Sequence, residues 1–291
     1  MIAQPTIGWI GLGQMGHRMA QHVANAGYPL IVADAASTDL APEGATIAAS
    51  NHDVAERADI VILSLPDGAA SLAVCQELIA AEPRQVDMVI DTSTIGMKAA
   101  RDEHALLEEH GIAFIDAPVS GGVAGAEAGS LSVILGCSDP LVERCTPLLD
   151  CIGGHLFHVG DRPGMGQAVK LLNNFLSATA MAATSEAMAF AETVGLDMQT
   201  TLDVINRSTG QNTASRDKFP KRVVTERYDG GFAAAMMAKD VRLYLEEVGD
   251  AGSASTLAAQ INALWSDFDD SEPGADFTRI FPFIRDRDKR T

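Results

Sequence analysis

Two lysines stand in otherwise apolar stretches of a chain that contains only six. Lys170 lies in Gly164-Met165-Gly166-Gln167-Ala168-Val169-Lys170-Leu171-Leu172-Asn173-Asn174. On a helix, Asn173 and Asn174 follow it by three and four residues and share its face. An amine and a carboxamide converging from an apolar helix suit a hydroxyl or carbonyl ligand. Burial lowers a lysine pKa and makes the amine a proton donor or acceptor near neutrality. The same position also suits a first-turn lysine that snorkels to solvent. Lys239, in Ala235-Met236-Met237-Ala238-Lys239-Asp240-Val241, reads equally well as a surface lysine beside an acid. All seven histidines lie at or before position 158. A site lined by the C-terminal half therefore takes its proton-transfer group from another residue type.

Further chemistry is written near the N-terminus. Ile7-Gly8-Trp9-Ile10 leads into Gly11-Leu12-Gly13-Gln14-Met15-Gly16, and a helix-compatible run follows. That is the setting in which G-x-G-x-x-G binds a dinucleotide. Gly11 allows a sharp turn, Gly13 leaves room for a pyrophosphate, and Gly16 lets helix and strand pack closely. The helix N-terminus then offers N–H groups and a positive dipole end to the anion. The next apolar run ends in Asp34, 18 residues after Gly16. A carboxylate there accepts from both hydroxyls of an adenosine ribose and repels a 2′-phosphate. Ala35, Ala36 and Ser37 follow, and no cation appears until Arg57. NAD is expected rather than NADP. A third feature is Asp116-Ala117-Pro118-Val119-Ser120-Gly121-Gly122. A serine followed by two glycines exposes a hydroxyl and successive backbone N–H groups, a small nest for a carboxylate. It also reads as a plain structural turn.

Elements must hold these groups in place. Candidate strands cover 6–10, 29–33, 60–64, 88–91, 113–116, 132–135 and 155–158. Helical stretches between them include 16–26, 69–80 and 98–110. The alternation predicts an α/β, Rossmann-type, doubly wound parallel sheet over residues 1–163. Ligands bind beyond the carboxyl ends of such strands, where the Ser120 loop falls. From 164 to 291 no further strand is expected, so the second domain is all-α. A long helix over 166–194 joins the two, with further helices near 198–207, 213–225, 233–248 and 255–268. Residues 208–219, including Asn212 and Arg216, are further candidates for a pocket lining. A long helix apolar nearly all round has more greasy surface than one small domain covers. A homodimer or homotetramer through the helical half is expected. The tail from Asp286 is charged and expected to fray.

Composition limits the partners. A net charge of −18 with no basic run disfavours nucleic acid and anionic membrane surfaces. The four cysteines show neither C-x-x-C spacing nor a metal-ligand rhythm. They read as reduced packing thiols, and no metal is expected. The start lacks a basic n-region, so a cytoplasmic protein without a signal peptide is expected.

In this order, G-x-G-x-x-G, Asp-Ala-Pro-Val-Ser-Gly-Gly, Gly-x-x-x-Lys-x-x-Asn-Asn and Lys-Asp resemble the β-hydroxyacid dehydrogenase family. This is the group of 3-hydroxyisobutyrate dehydrogenase, tartronate semialdehyde reductase and the 6-phosphogluconate dehydrogenases. The resemblance runs from Ile7 to about Phe283. It implies that Lys170 is the catalytic lysine and Asn174 the substrate-binding asparagine. It implies that Ser120, Gly121 and Gly122 hold the substrate carboxylate. Leu65 and Pro66, and Thr94, match loops along the cofactor, with Leu12, Gln14 and Met15 inside the glycine turn. Lys239 matches a lysine near cofactor and active site. The phosphogluconate branch carries a glutamate seven residues after its lysine, where this chain has Ser177. A short hydroxyacid or semialdehyde is therefore the implied substrate, not a sugar phosphate. Two alternatives stand beside an NAD-dependent dehydrogenase. One is an NADPH-dependent semialdehyde reductase of the same family. The other is a non-catalytic dinucleotide-binding assembly module.

Overall fold

The structure, a computed structural model, describes residues 4–287. It divides into two compact units, Met1–Lys170 and Leu171–Thr291. The division falls inside one long helix, somewhat beyond the sequence boundary at 163/164.

The first unit is built on nine strands. These are β1 (Ile7–Ile10), β2 (Leu30–Ala33), β3 (Thr46–Ile47), β4 (Ile60–Leu63), β5 (Met88–Asp91), β6 (Ala113–Asp116), β7 (Val119–Ser120), β8 (Leu131–Gly136) and β9 (Gly153–Gly160). Their order is β3-β2-β1-β4-β5-β6-β8-β7, with β9 pairing β8. The chain therefore winds outward from β1 in one direction, then returns and winds outward from β4 in the other. The strands from β3 to β6 pair in parallel, as expected. The far end is mixed, because β8 runs antiparallel to β6 and β7. β7 is a two-residue strand that runs into paired glycines and has no hydrophobic period, so its sequence reads as loop.

Helices α1 (Gly16–Asn25), α2 (Asn51–Arg57), α3 (Gly68–Ile79), α4 (Met97–Glu108), α5 (Gly122–Ala128) and α6 (Asp139–Leu149) complete the unit. Alternate strand residues feed two separate cores, as a period of two requires. Ile7, Trp9, Ile60, Ile62, Met88 and Ile90 pack with Met19 and Val23 of α1. Ile31, Val61, Leu63, Val89 and Phe114 pack with residues of α2, α3 and α4 on the other face. That is a doubly wound sheet.

The second unit is helical: most of α7 (Met165–Thr193), α8 (Met198–Ile205), a π-helix (Ala214–Val223), α9 (Ala234–Asp250), α10 (Thr256–Ser271) and α11 (Ile280–Arg287). Trp265, Phe268, Phe219 and Phe281 centre its core. Its β content among the described residues is one isolated bridge, Ala233 to Asp276. The segment expected as an ordinary helix near 213–225 is π-helical and contains Pro220. Proline lacks an N–H and cannot continue an α-helical ladder. The expected charged tail begins inside α11, and residues 288–291 lie outside the described residues. No helix among the described residues is long and apolar enough to cross a membrane.

Candidate active site

Strand register lines up the candidate loops of the first unit. Ile10 pairs with Leu63, Leu63 with Asp91, and Asp91 with Asp116. Four strands thus end side by side. The loops that leave the first three carry Gly11–Gly16, Leu65–Pro66 and Thr94, and the chain beyond β6 reaches Ser120 at the end of β7 and Gly121–Gly122 at the start of α5. β1 and β4 are neighbours where the winding reverses, the usual dinucleotide crevice.

The glycine turn shows a division of labour. Gly11 has φ +100°, and a Cβ there would meet the Ser64 carbonyl oxygen at 2.2 Å. A Cβ on Gly16 would meet the Gly11 carbonyl oxygen at 2.0 Å. A Cβ on Gly13 would meet nothing within 4 Å. The first and third glycines serve the fold, while the second leaves open space for a ligand. α1 starts directly behind with no side-chain cap. A dinucleotide pyrophosphate fits this turn.

Asp34 follows β2 and is half-buried. Its Oδ2 accepts from the Leu12 N–H at 2.6 Å. Its Oδ1 accepts from the N–H groups of Ala36 at 2.7 Å and Ser37 at 3.1 Å. Burial works to raise its pKa, but the three backbone donors outweigh it and hold the carboxyl below its usual value. Arg57, the first Lys or Arg to follow Asp34 in sequence, is paired with Asp53 at 3.1 Å.

The Leu65 N–H donates to Ser93 Oγ at 2.8 Å, which links the loops after β4 and β5. Beneath them, Asp91 accepts from the Ser93 N–H at 2.7 Å and from the Ser71 hydroxyl. Glu103 is completely buried beside this pair. Burial and the nearby Asp91 charge push its carboxyl up to about 10, so it stays protonated at neutrality. Sequence reasoning passed over Glu103. Its place at a helix position amid charged neighbours reads as surface.

Gly121 has φ +141° and Gly122 φ +64°, a backbone path that L side chains rarely take. The Ser120–Gly122 turn is glycine-built for that reason. Lys170 is half-buried and lies in the second turn of α7.

In the second unit the structure joins two of the expected residues through a third. Asn174 is buried, and its Nδ2 donates to Asp240 Oδ2 at 2.6 Å. Asp240 Oδ1 pairs with Lys239 Nζ at 3.1 Å. The Lys239 side chain is only 14% exposed, so the reading of it as a surface lysine fails. Asp240, which bridges Asn174 and Lys239, was not among the residues expected at the site. Its signal was the Lys-Asp dipeptide in an apolar helix, where a buried acid needs a partner. Asn212 is engaged locally: its Oδ1 accepts from the N–H groups of Ala214 at 2.8 Å and Ser215 at 3.0 Å. Among the described residues no cluster of His, Cys, Asp and Glu could hold a metal. The cysteines are free thiols, and burial pushes Cys145 up to about 11.

Two family models match the chain. The NAD binding domain of 6-phosphogluconate dehydrogenase matches residues 6–160. The NAD-binding domain of NADP-dependent 3-hydroxyisobutyrate dehydrogenase matches residues 164–284. The chain belongs to the β-hydroxyacid dehydrogenase family and is an NAD(P)-dependent hydroxyacid dehydrogenase. It is 33% identical to a probable 3-hydroxyisobutyrate dehydrogenase of Mycobacterium tuberculosis, over 97% of this chain and 98% of that one. It is 38% identical to the NAD-dependent L-serine dehydrogenase of Pseudomonas aeruginosa, over 86% of this chain and 87% of that one. A solved structure of Mycobacterium tuberculosis 3-hydroxyisobutyrate dehydrogenase with L-serine has TM-score 0.89 and 32% identity, covering 97% of this chain and 99% of that one. Enzyme membership removes the non-catalytic alternative.

Proposed function

We propose that this protein oxidises a small β-hydroxyacid with NAD, with Lys170 as the general acid and base. A bound nicotinamide would supply the acceptor for the hydride of the carbon that bears the hydroxyl. Lys170 takes the hydroxyl proton, and in reverse it protonates the forming alkoxide of a semialdehyde. Asn174, one helical turn on, holds the hydroxyl, and Ser120, Gly121 and Gly122 hold the carboxylate. Leu12, Gln14, Met15, Leu65, Pro66 and Thr94 line the cofactor around the glycine turn, and Lys239 is assigned to cofactor binding by the family resemblance. Fixing both ends of a short substrate supplies orientation, a large part of the barrier. The observation that supports this reading is the in-register row of strand ends, from which the glycine turn leads out of β1 and the segment to Ser120 leads out of β6.

The substrate class follows from shared chemistry. The relatives' names include 3-hydroxyisobutyrate and L-serine. Both carry a terminal CH2OH one carbon away from a carboxylate. A compound with that unit is the expected substrate, or tartronate semialdehyde in the reverse direction. NADPH-dependent reduction of a short semialdehyde is the second reading, because one matching domain is of the NADP-dependent type. Asp34 and the pairing of Arg57 favour NAD. The test is a screen of three- to five-carbon hydroxyacids with NAD and NADP in parallel, followed by absorbance of the reduced cofactor. Oxidation of acids with the CH2OH unit supports the reading; turnover confined to other classes contradicts it.

A further inference from the structure

Gln167 is completely buried, three residues before Lys170. Its Oε1 accepts from the backbone N–H groups of Ile95 at 2.9 Å and Gly96 at 3.2 Å. Its Nε2 donates to the Ser93 carbonyl at 3.0 Å and to Asp116 Oδ1 at 2.8 Å. Every hydrogen-bonding direction of the amide is in use. Asp116 Oδ2 accepts from the N–H groups of Gly164 at 2.9 Å and Gln167 at 3.1 Å. These belong to the start of α7, where no intrahelical carbonyl is available. A carboxylate from β6 therefore caps α7 and meets the positive end of its dipole.

Packing locks the same turn. A Cβ on Gly166 would meet the Ile134 carbonyl oxygen at 2.6 Å. A Cβ on Gly136 would meet the Gly166 nitrogen at 2.8 Å. The foot of α7 is thereby fixed in height and in rotation about its axis. A local Ser, Thr or Asp cap would stabilise the helix equally well. It would not tie the helix to the loop that contains Thr94 and to the strand that leads to Ser120.

We propose that Gln167 and Asp116 are positioning residues that set the rotation of α7 against the Ser93–Gly96 loop and so aim the Lys170 amine. This rests on Lys170 being the proton-transfer group. A buried amide with four partners cannot rotate without breaking several bonds. Lys170 leaves the helix one residue short of a turn later, so it inherits that constraint.

The test is a double-mutant cycle between Gln167→Met and Lys170→Ala, with kcat measured for hydroxyacid oxidation and NADH binding followed by fluorescence. Gln167→Met keeps the volume and removes the polar links. A misaimed group costs about 10²-fold, so a kcat loss of that order is expected when Lys170 is present. With Lys170→Ala already in place, the further loss should be under about threefold, because no amine remains to be aimed. NADH affinity should stay within about threefold, since the glycine turn is untouched. Equal losses in both backgrounds, or full kcat in a folded Gln167→Met, would overturn the proposal. So would a matching collapse of NADH affinity, which would assign Gln167 to the cofactor loop. If Gln167→Met does not fold, Gln167→Glu enters the same cycle, keeping the acceptor and losing the donor to both the Ser93 carbonyl and Asp116. Near-full activity of Lys170→Ala alone would instead remove the assignment of the base, and the positioning role with it.

Discussion

Asp34 sets a local field from which a preference between two cofactors is expected. Its carboxylate is held ionised by three backbone donors, and Arg57, the first Lys or Arg to follow it in sequence, is paired with Asp53. We expect kcat/KM for NAD to exceed that for NADP by at least about tenfold, which needs roughly 1.4 kcal/mol. Asp34→Arg should narrow or invert the ratio by exchanging repulsion for a phosphate partner. Equal use of both cofactors by the wild type would mean that Asp34 does not face the ribose. Glu103 supports a second prediction at this scale. Its pKa is raised from 4.5 to about 10 in the folded protein. The native state thus binds more protons than the unfolded state across that window, and stability falls as pH rises through it. Glu103→Gln carries no ionisable group there. Its Tm should gain on that of the wild type as pH is raised from about 5 to about 9. A Tm difference that does not change with pH would show that Glu103 titrates normally.

The βαβ turn offers a prediction about elements. Gly13 faces open space, whereas Gly16 abuts the Gly11 carbonyl. Gly13→Ala should keep its Tm yet weaken NADH binding by more than about tenfold, since the methyl occupies the pyrophosphate's place. Gly16→Ala should lose about 1–3 kcal/mol of stability from overpacking, read by denaturant unfolding. Identical behaviour of the two variants would contradict this division. Elements with a clear hydrophobic period were legible in the sequence: β1, β4 and β5, the helix after the glycine turn, and α7 to within a residue or so. β3 and β7 were not, because two-residue strands have no period to read. The π-helical turn was missed because Pro220 acts through the backbone ladder, not through side-chain pattern. Lys170, Asn174 and the Ser120 loop could be named from motif order. Asp240, Gln167 and Glu103 could not, since their roles arise from partners far away in the chain, 66 residues in the case of Asp240 and Asn174.

For the whole molecule, the apolar surface of α7 bears on assembly. Leu172, Leu176 and Phe190 are 41%, 60% and 66% exposed. At 3.6 residues per turn they form one stripe along the helix. A homodimer or homotetramer that covers this stripe is expected, and light scattering at micromolar concentration should show it. Phe190→Glu should shift the population toward monomer; a wild type that is already monomeric would contradict the expectation. The central claim is that Lys170 moves the proton while a CH2OH-bearing acid is oxidised. The most direct test is kcat for wild type and Lys170→Ala on the best substrate of the screen, with NADH binding measured alongside. The account predicts a loss of about 10²–10⁴-fold in kcat with cofactor affinity nearly unchanged. A Lys170→Ala enzyme that turns over at the wild-type rate would contradict it.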